Sequence, residues 1–176
     1  MEDRKQKFYA IVKARSAENE RALNSLLQGN CYALVGAIIR MELDSLVRVF
    51  DFSNSDPTKQ EKILDDFFEG KKWSNYDRNM VNALSRKLGW AEHIYDFCCA
   101  FVHLSPYHDW ASTDDIPNLT QDKRRQIVSA IKGQQDDVWG YDTTFVINED
   151  FGFNDLLPFV PHIFKKLKSN LPYEMK

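Results

Sequence analysis

Apolar residues recur at three- and four-residue spacing along most of this chain, and that period predicts helices. The first is expected over about residues 5–27, carried by Phe8, Ile11, Val12, Leu23, Leu26 and Leu27 and ended by Gly29-Asn30. A second, over about 31–52, sets Val35, Ile38, Ile39, Leu46, Val49 and Phe50 on one face before the turn-forming run Ser53-Asn54-Ser55-Asp56-Pro57. Pro57 suits the first turn of a third, short helix reaching residue 69 before Gly70. A fourth helix over about 75–88 and a fifth over about 90–104, with Trp90, Ile94, Phe97 and Phe101 inward, make a helical hairpin across Gly89. After a polar loop over 105–115, Thr120 is a good N-cap for a helix to about 132, and a last helix over about 154–169 is interrupted by Pro158 and Pro161. Thr143-Thr144-Phe145-Val146-Ile147 is β-branched and aromatic, a short extended piece at most. The expectation is an all-α bundle of five to seven helices forming a single domain over residues 1–176.

Within that pattern a few polar residues break the rule. At about 100° per residue, Glu42 falls in the middle of the apolar stripe of the second helix. Buried alone it would cost several kcal/mol or lose its charge, so a cation, a histidine or hydrogen-bond donors must meet it. That meeting is either a link fixing helix register or part of a reaction centre. On the opposite side Arg40, Asp44 and Arg48 form a ladder at four-residue spacing. Solvated ion pairs account for it; alternatively a guanidinium reaches a phosphate, whose oxygens its planar fork matches.

The sharpest break lies at Phe101-Val102-His103-Leu104-Ser105-Pro106-Tyr107-His108. Pro106 disfavours helical geometry at Ser105, so the fifth helix should stop near His103, whose ring then sits beside unpaired carbonyls that favour its protonated form. His103 is read either as a structural cap or as a proton-transfer group. Glu92, Asp96, Cys99 and His103 share one polar stripe, read as a water-facing groove. Ser105 and His108 are candidates to converge on the same space after the turn.

Composition narrows the field. A chain of 176 residues that is 43% hydrophobic can bury a core without disulfides or metal. Its net charge of −3 argues against gripping nucleic acid through bulk charge, which leaves Lys71-Lys72, Lys123-Arg124-Arg125 and Lys165-Lys166-Lys168 as candidate local patches or solvated helix faces. Cys31, Cys98 and Cys99 have no ligand-like spacing, and reduced thiols of a cytoplasmic protein fit them best. The charged start Met1-Glu2-Asp3-Arg4-Lys5 is followed by no apolar run of signal or membrane-spanning length, so a soluble protein without membrane contact is expected. A metal held by His103, His108 and Glu42 or Asp44 has weak support, since no Glu-x-x-His or His-Glu-x-x-His pattern occurs; no metal or other cofactor is expected. Nucleophile-elbow, phosphate-loop and dinucleotide motifs are absent.

The segments Ala37-Ile38-Ile39-Arg40-Met41-Glu42-Leu43-Asp44-Ser45-Leu46-Val47-Arg48 and Phe101-Val102-His103-Leu104-Ser105 together resemble the HEPN superfamily of prokaryotic helical bundles. The resemblance covers about residues 30–171 in helix order and rests on those two segments. It implies a homodimer and, for many members, a metal-independent endoribonuclease of toxin–antitoxin or anti-phage defence systems. His103 would be the histidine acting on the RNA 2′-hydroxyl or the leaving oxygen, and Glu42 the polar residue of the facing helix. The family motif places an arginine four to six residues before that histidine, where this chain has Phe97, Cys98 and Cys99. The missing cation is the main electrostatic element of such a reaction. Arg40 or Arg48, from the second helix or from a dimer partner, would have to replace it; Arg40 is grouped with His103 and Glu42 as a candidate catalytic residue, and Arg48, Asp44, Ser105 and His108 are candidate substrate contacts. The competing class is a catalytically silent interaction or dimerisation module whose aromatics around Tyr107, Trp110, Trp139 and Tyr141 dock a partner protein or a second subunit, an antitoxin being one candidate partner.

Overall fold

The computed structural model describes residues 2–29, 31–103, 120–122, 125 and 160–171. These residues hold six helices and no strand: α1 (Glu2–Gln28), α2 (Tyr32–Ser53), α3 (Pro57–Phe68), α4 (Asp77–Ser85), α5 (Ala91–Val102) and α6 (Val160–Ser169). The first five fall where the apolar period places them, and the all-α expectation holds among the described residues. The extended segment at 143–147 and most of the expected helix at 120–132 lie outside them. Pro161 does not break α6, because it sits in the first turn, where no intrahelical N–H is needed.

α2 is the central element. It packs against α1, α4, α5 and α6 and touches α3, so its sides are covered in turn by different neighbours. Leu43, Leu46, Val47, Val49 and Phe52 of α2 are all buried, and Phe8 of α1, Leu64 of α3, Leu84 of α4, Cys98 of α5 and Phe164 of α6 complete the core around it. α4 and α5 pack on each other as the expected hairpin. Ile11 is a correction: it is 42% exposed. At about 100° per residue it lies roughly a quarter-turn or more from the stripe shared by Phe8, Val12 and Leu23, and so misses the α2 seam.

Local signals set both ends of α3 and the loop that follows it. Asp56 caps α3 by accepting from the Lys59 N–H at 2.9 Å. At the other end Gly70 adopts φ +70°, with Gly70 N–H donating to the Phe67 carbonyl and Lys71 N–H to the Asp66 carbonyl, a left-handed cap that turns the chain out of the helix. The following loop is pinned to α2, since Trp73 Nε1 and Asn75 Nδ2 both donate to the Asp51 carboxylate, at 3.1 and 3.2 Å.

Candidate functional site

The stripe that carries Glu42 faces α1. Its carboxylate has no exposure, and each oxygen accepts one hydrogen bond from a neutral donor: Ser16 Oγ at 2.5 Å and Asn19 Nδ2 at 2.8 Å. Ser16 and Asn19 are themselves buried, on the same α1 stripe as Val12 and Leu23. The sequence reading missed both residues, although the signal was present. The apolar period of α1 has a gap between Val12 and Leu23, and the two positions filling it on that face are small and polar. A polar gap in one helix and a polar residue in the stripe of another are complementary, and the fold pairs them. Among the described residues Glu42 therefore meets α1 and is not brought to His103.

The ladder on the other side is not a solvated face. Arg40, Asp44 and Arg48 side chains are 13%, 17% and 25% exposed, because α4 and α5 cover that side of α2 and the first turn of α4 adds a second carboxylate. Arg48 donates through Nε to Asp44 at 2.9 Å and through Nη2 to Asp77 at 3.0 Å; Arg40 reaches Asp77 at 3.1 Å and Arg15 of α1 reaches Asp44 at 3.1 Å. Burial alone would push the Asp44 carboxyl up, but hydrogen bonds and charge from Arg48, then Arg15, outweigh it and hold the group below its ordinary range. The ladder thus locks α1, α2 and α4 together.

Arg40 also faces α5. Its guanidinium lies over the Tyr95 ring at 4.3 Å and interacts with the Cys99 side chain. Burial works against its charge, yet Cys99, Asp44 and Tyr95 together keep the proton on more firmly than usual. Tyr95 is held protonated above its ordinary range, by burial first and then Cys99, with Arg40 opposing. Cys98 is fully buried, and desolvation pushes its thiol far up, which removes it as a nucleophile.

His103 is the C-cap of α5, as the proline argument expects, with its N–H donating to the Cys99 carbonyl at 3.2 Å and its side chain exposed. It thus follows Cys99, and the guanidinium against it, by one helical turn. Further back on the expected groove, Glu92 and Asp96 are taken up by Arg78 of α4, at 2.8 and 2.5 Å. Ser105, His108, Tyr107, Trp110, Trp139 and Tyr141 lie outside the described residues. Among the described residues no group of three or more His, Cys, Asp or Glu is placed to share a metal ion, and no helix is long and apolar enough to cross a membrane.

No family model, curated protein or solved structure matches this chain. The site's meaning therefore has to come from its own chemistry.

Beside the ladder, the α3–α4 loop forms a cleft of about 530 Å³ lined by Arg48, Lys72, Trp73, Asn75, Tyr76 and Arg78, together with neighbouring polar groups. In the sequence Lys72 stands only as half of a basic pair, and Trp73 and Tyr76 belong to no motif. What joins them is the left-handed turn at Gly70 and the Asp51 anchor, neither of which shows as a motif.

Proposed function

We propose that this chain is a HEPN-like helical protein that acts on or binds RNA, working as a homodimer in a prokaryotic toxin or anti-phage defence setting and cutting without a metal. The observation that carries the reading is the place of Arg40. The family's motif arginine belongs at Phe97, Cys98 or Cys99, and a guanidinium supplied by α2 instead lies over the ring of Tyr95, one turn before Cys99 on α5, at 4.3 Å. In this reading His103 takes the proton of the RNA 2′-hydroxyl or returns one to the departing 5′-oxygen, while Arg40 stabilises the negative charge on the non-bridging phosphate oxygens as the 2′-oxygen attacks phosphorus. Glu42 holds α1 against α2 and acts on the reaction only through that scaffold.

A second reading has its own support. Arg40 and Arg48 each hold carboxylates already, and Glu42 is committed to α1, so a phosphate would have to compete with Asp77 for the guanidinium groups. A catalytically silent module that docks an antitoxin or another partner protein fits those commitments.

Inducible expression of wild type and His103→Ala in bacteria separates the two. Growth arrest with fragmented RNA in wild type, lost in His103→Ala, is the expected result. Absence of both effects in wild type would favour the silent module, and fragmentation that persists in His103→Ala would remove His103 from the reaction.

A further inference from the structure

The cleft of the α3–α4 loop is not part of the edge that carries His103, and its chemistry is of another kind. Tyr76 is 76% exposed, and its hydroxyl has no partner among the described residues, so an aromatic face stands in solvent. Lys72 is exposed and forms no ion pair among the described residues, whereas neighbouring Lys71 is spent on Glu69 and Asp66. Arg48 turns Nε and Nη2 to Asp44 and Asp77 but leaves Nη1 without a hydrogen bond among the described residues. Asp77, the carboxylate of the cleft wall, is neutralised by Arg40 and Arg48.

These groups sit on a rigid frame. Trp73 is half-buried, fixed through Nε1 to Asp51, and covered on its ring by Arg48 at 5.3 Å. Asn75, which also lines the cleft, donates to the same carboxylate. The volume, about 530 Å³, falls in the range of small-ligand sites, about 300–1,000 Å³. A flat aromatic platform with an unspent ammonium and a free guanidinium N–H beside it suits a ligand that is planar at one end and anionic at the other.

We infer that this cleft binds a phosphorylated nucleoside unit, with the base stacked on Tyr76 and the phosphate held by Lys72 and Arg48 Nη1. Stacking on an exposed aromatic with phosphate contact alongside is how single strands are held without sequence preference. The inference rests on the reading of this chain as an RNA-handling protein for its ligand class, and it adds to that reading a subsite on the opposite end of the ladder from Cys99. The unit can come from a single strand or from a free nucleotide.

The test uses the full chain and a fluorescein-labelled short 2′-O-methyl oligoadenylate, which has no free 2′-hydroxyl and so cannot be cut by the His103 chemistry. Fluorescence anisotropy should show binding that Tyr76→Ala weakens about tenfold, the scale of losing one base–aromatic stack. Lys72→Ala should also weaken it and lower the slope of log affinity against log salt by about 0.7. Both side chains are exposed, and circular dichroism of the variants should match wild type. Competition by AMP as well as by unlabelled strand assigns the site to a mononucleotide; competition by the strand alone assigns it to RNA. Equal competition by inorganic phosphate would overturn the stacking claim. Absence of binding, or binding indifferent to both substitutions, would overturn the cleft altogether. Failure to cut RNA while the methylated strand still binds would remove the reaction and leave the cleft standing.

Discussion

In the α1–α2 seam a carboxylate with no solvent exposure, Glu42, is satisfied by two neutral donors, whereas at the margin of α2 the partly covered Asp44 is satisfied by guanidinium groups of α2 and α1. The two residues are two positions apart on one helix, and the fold solves the same problem for them in different ways. In the seam, where water is excluded, Ser16 and Asn19 supply donors that carry no charge of their own to desolvate. At the margin, where desolvation is partial, Arg15 and Arg48 add charge–charge attraction at lower cost. The first arrangement fixes the register of α1 on α2. The second leaves cations near the surface, where a ligand can compete for them.

The largest expected effect comes from breaking the seam. Glu42→Ala strands two buried donors and opens a cavity, and should destabilise the fold by about 3 kcal/mol in denaturant titration. Glu42→Gln should cost clearly less, because the amide oxygen still accepts from Asn19 and the Ser16 hydroxyl can reorient to accept from the amide. Equal losses in the two variants would mean that shape, not hydrogen bonding, governs the seam.

Next comes the margin. Asp44→Asn should cost about 2 kcal/mol near neutral pH, as a hydrogen-bonded charge shared by two arginines is lost. The folded Asp44 carboxyl titrates below its ordinary value of 3.8, so as the pH falls the unfolded chain takes up that proton first. The stability that Asp44 contributes is therefore full above the ordinary carboxylate range and is lost as pH falls through the lower folded value. Asp44→Asn should flatten this part of the acid limb. The smallest effect belongs to the exposed bridge of α4 and α5: Arg78→Ala should cost no more than about 1 kcal/mol and be sensitive to salt. A larger, salt-independent loss would show that the hairpin depends on Arg78 as the core depends on Glu42.

The helices could be read from the chain because they are local: the apolar period, Asp56-Pro57 before α3 and Gly70 after it act within a few residues of where they stand. Glu42 could be recognised as a buried carboxylate for the same reason. Its partners could not, since the stripe says only that a neighbour must come and not which helix brings it. Arg40 and Arg48 looked solvated because a single helix has an outside, and only the assembled bundle reveals that α4 and α5 cover it. The cleft was hidden more deeply. Lys72, Trp73 and Tyr76 belong to a loop with no period, and their convergence depends on one left-handed turn and one carboxylate from α2.

The proposal turns on Arg40 standing in for an arginine that α5 lacks, so the decisive measurement is RNA cleavage by purified wild type and Arg40→Lys at matched folding. Lysine keeps the charge but not the planar fork. The account predicts cleavage by wild type and loss of about two orders of magnitude or more in Arg40→Lys, the scale of removing one electrostatic stabiliser of the transition state. Cleavage that survives Arg40→Lys unchanged, or no cleavage by wild type, would contradict it.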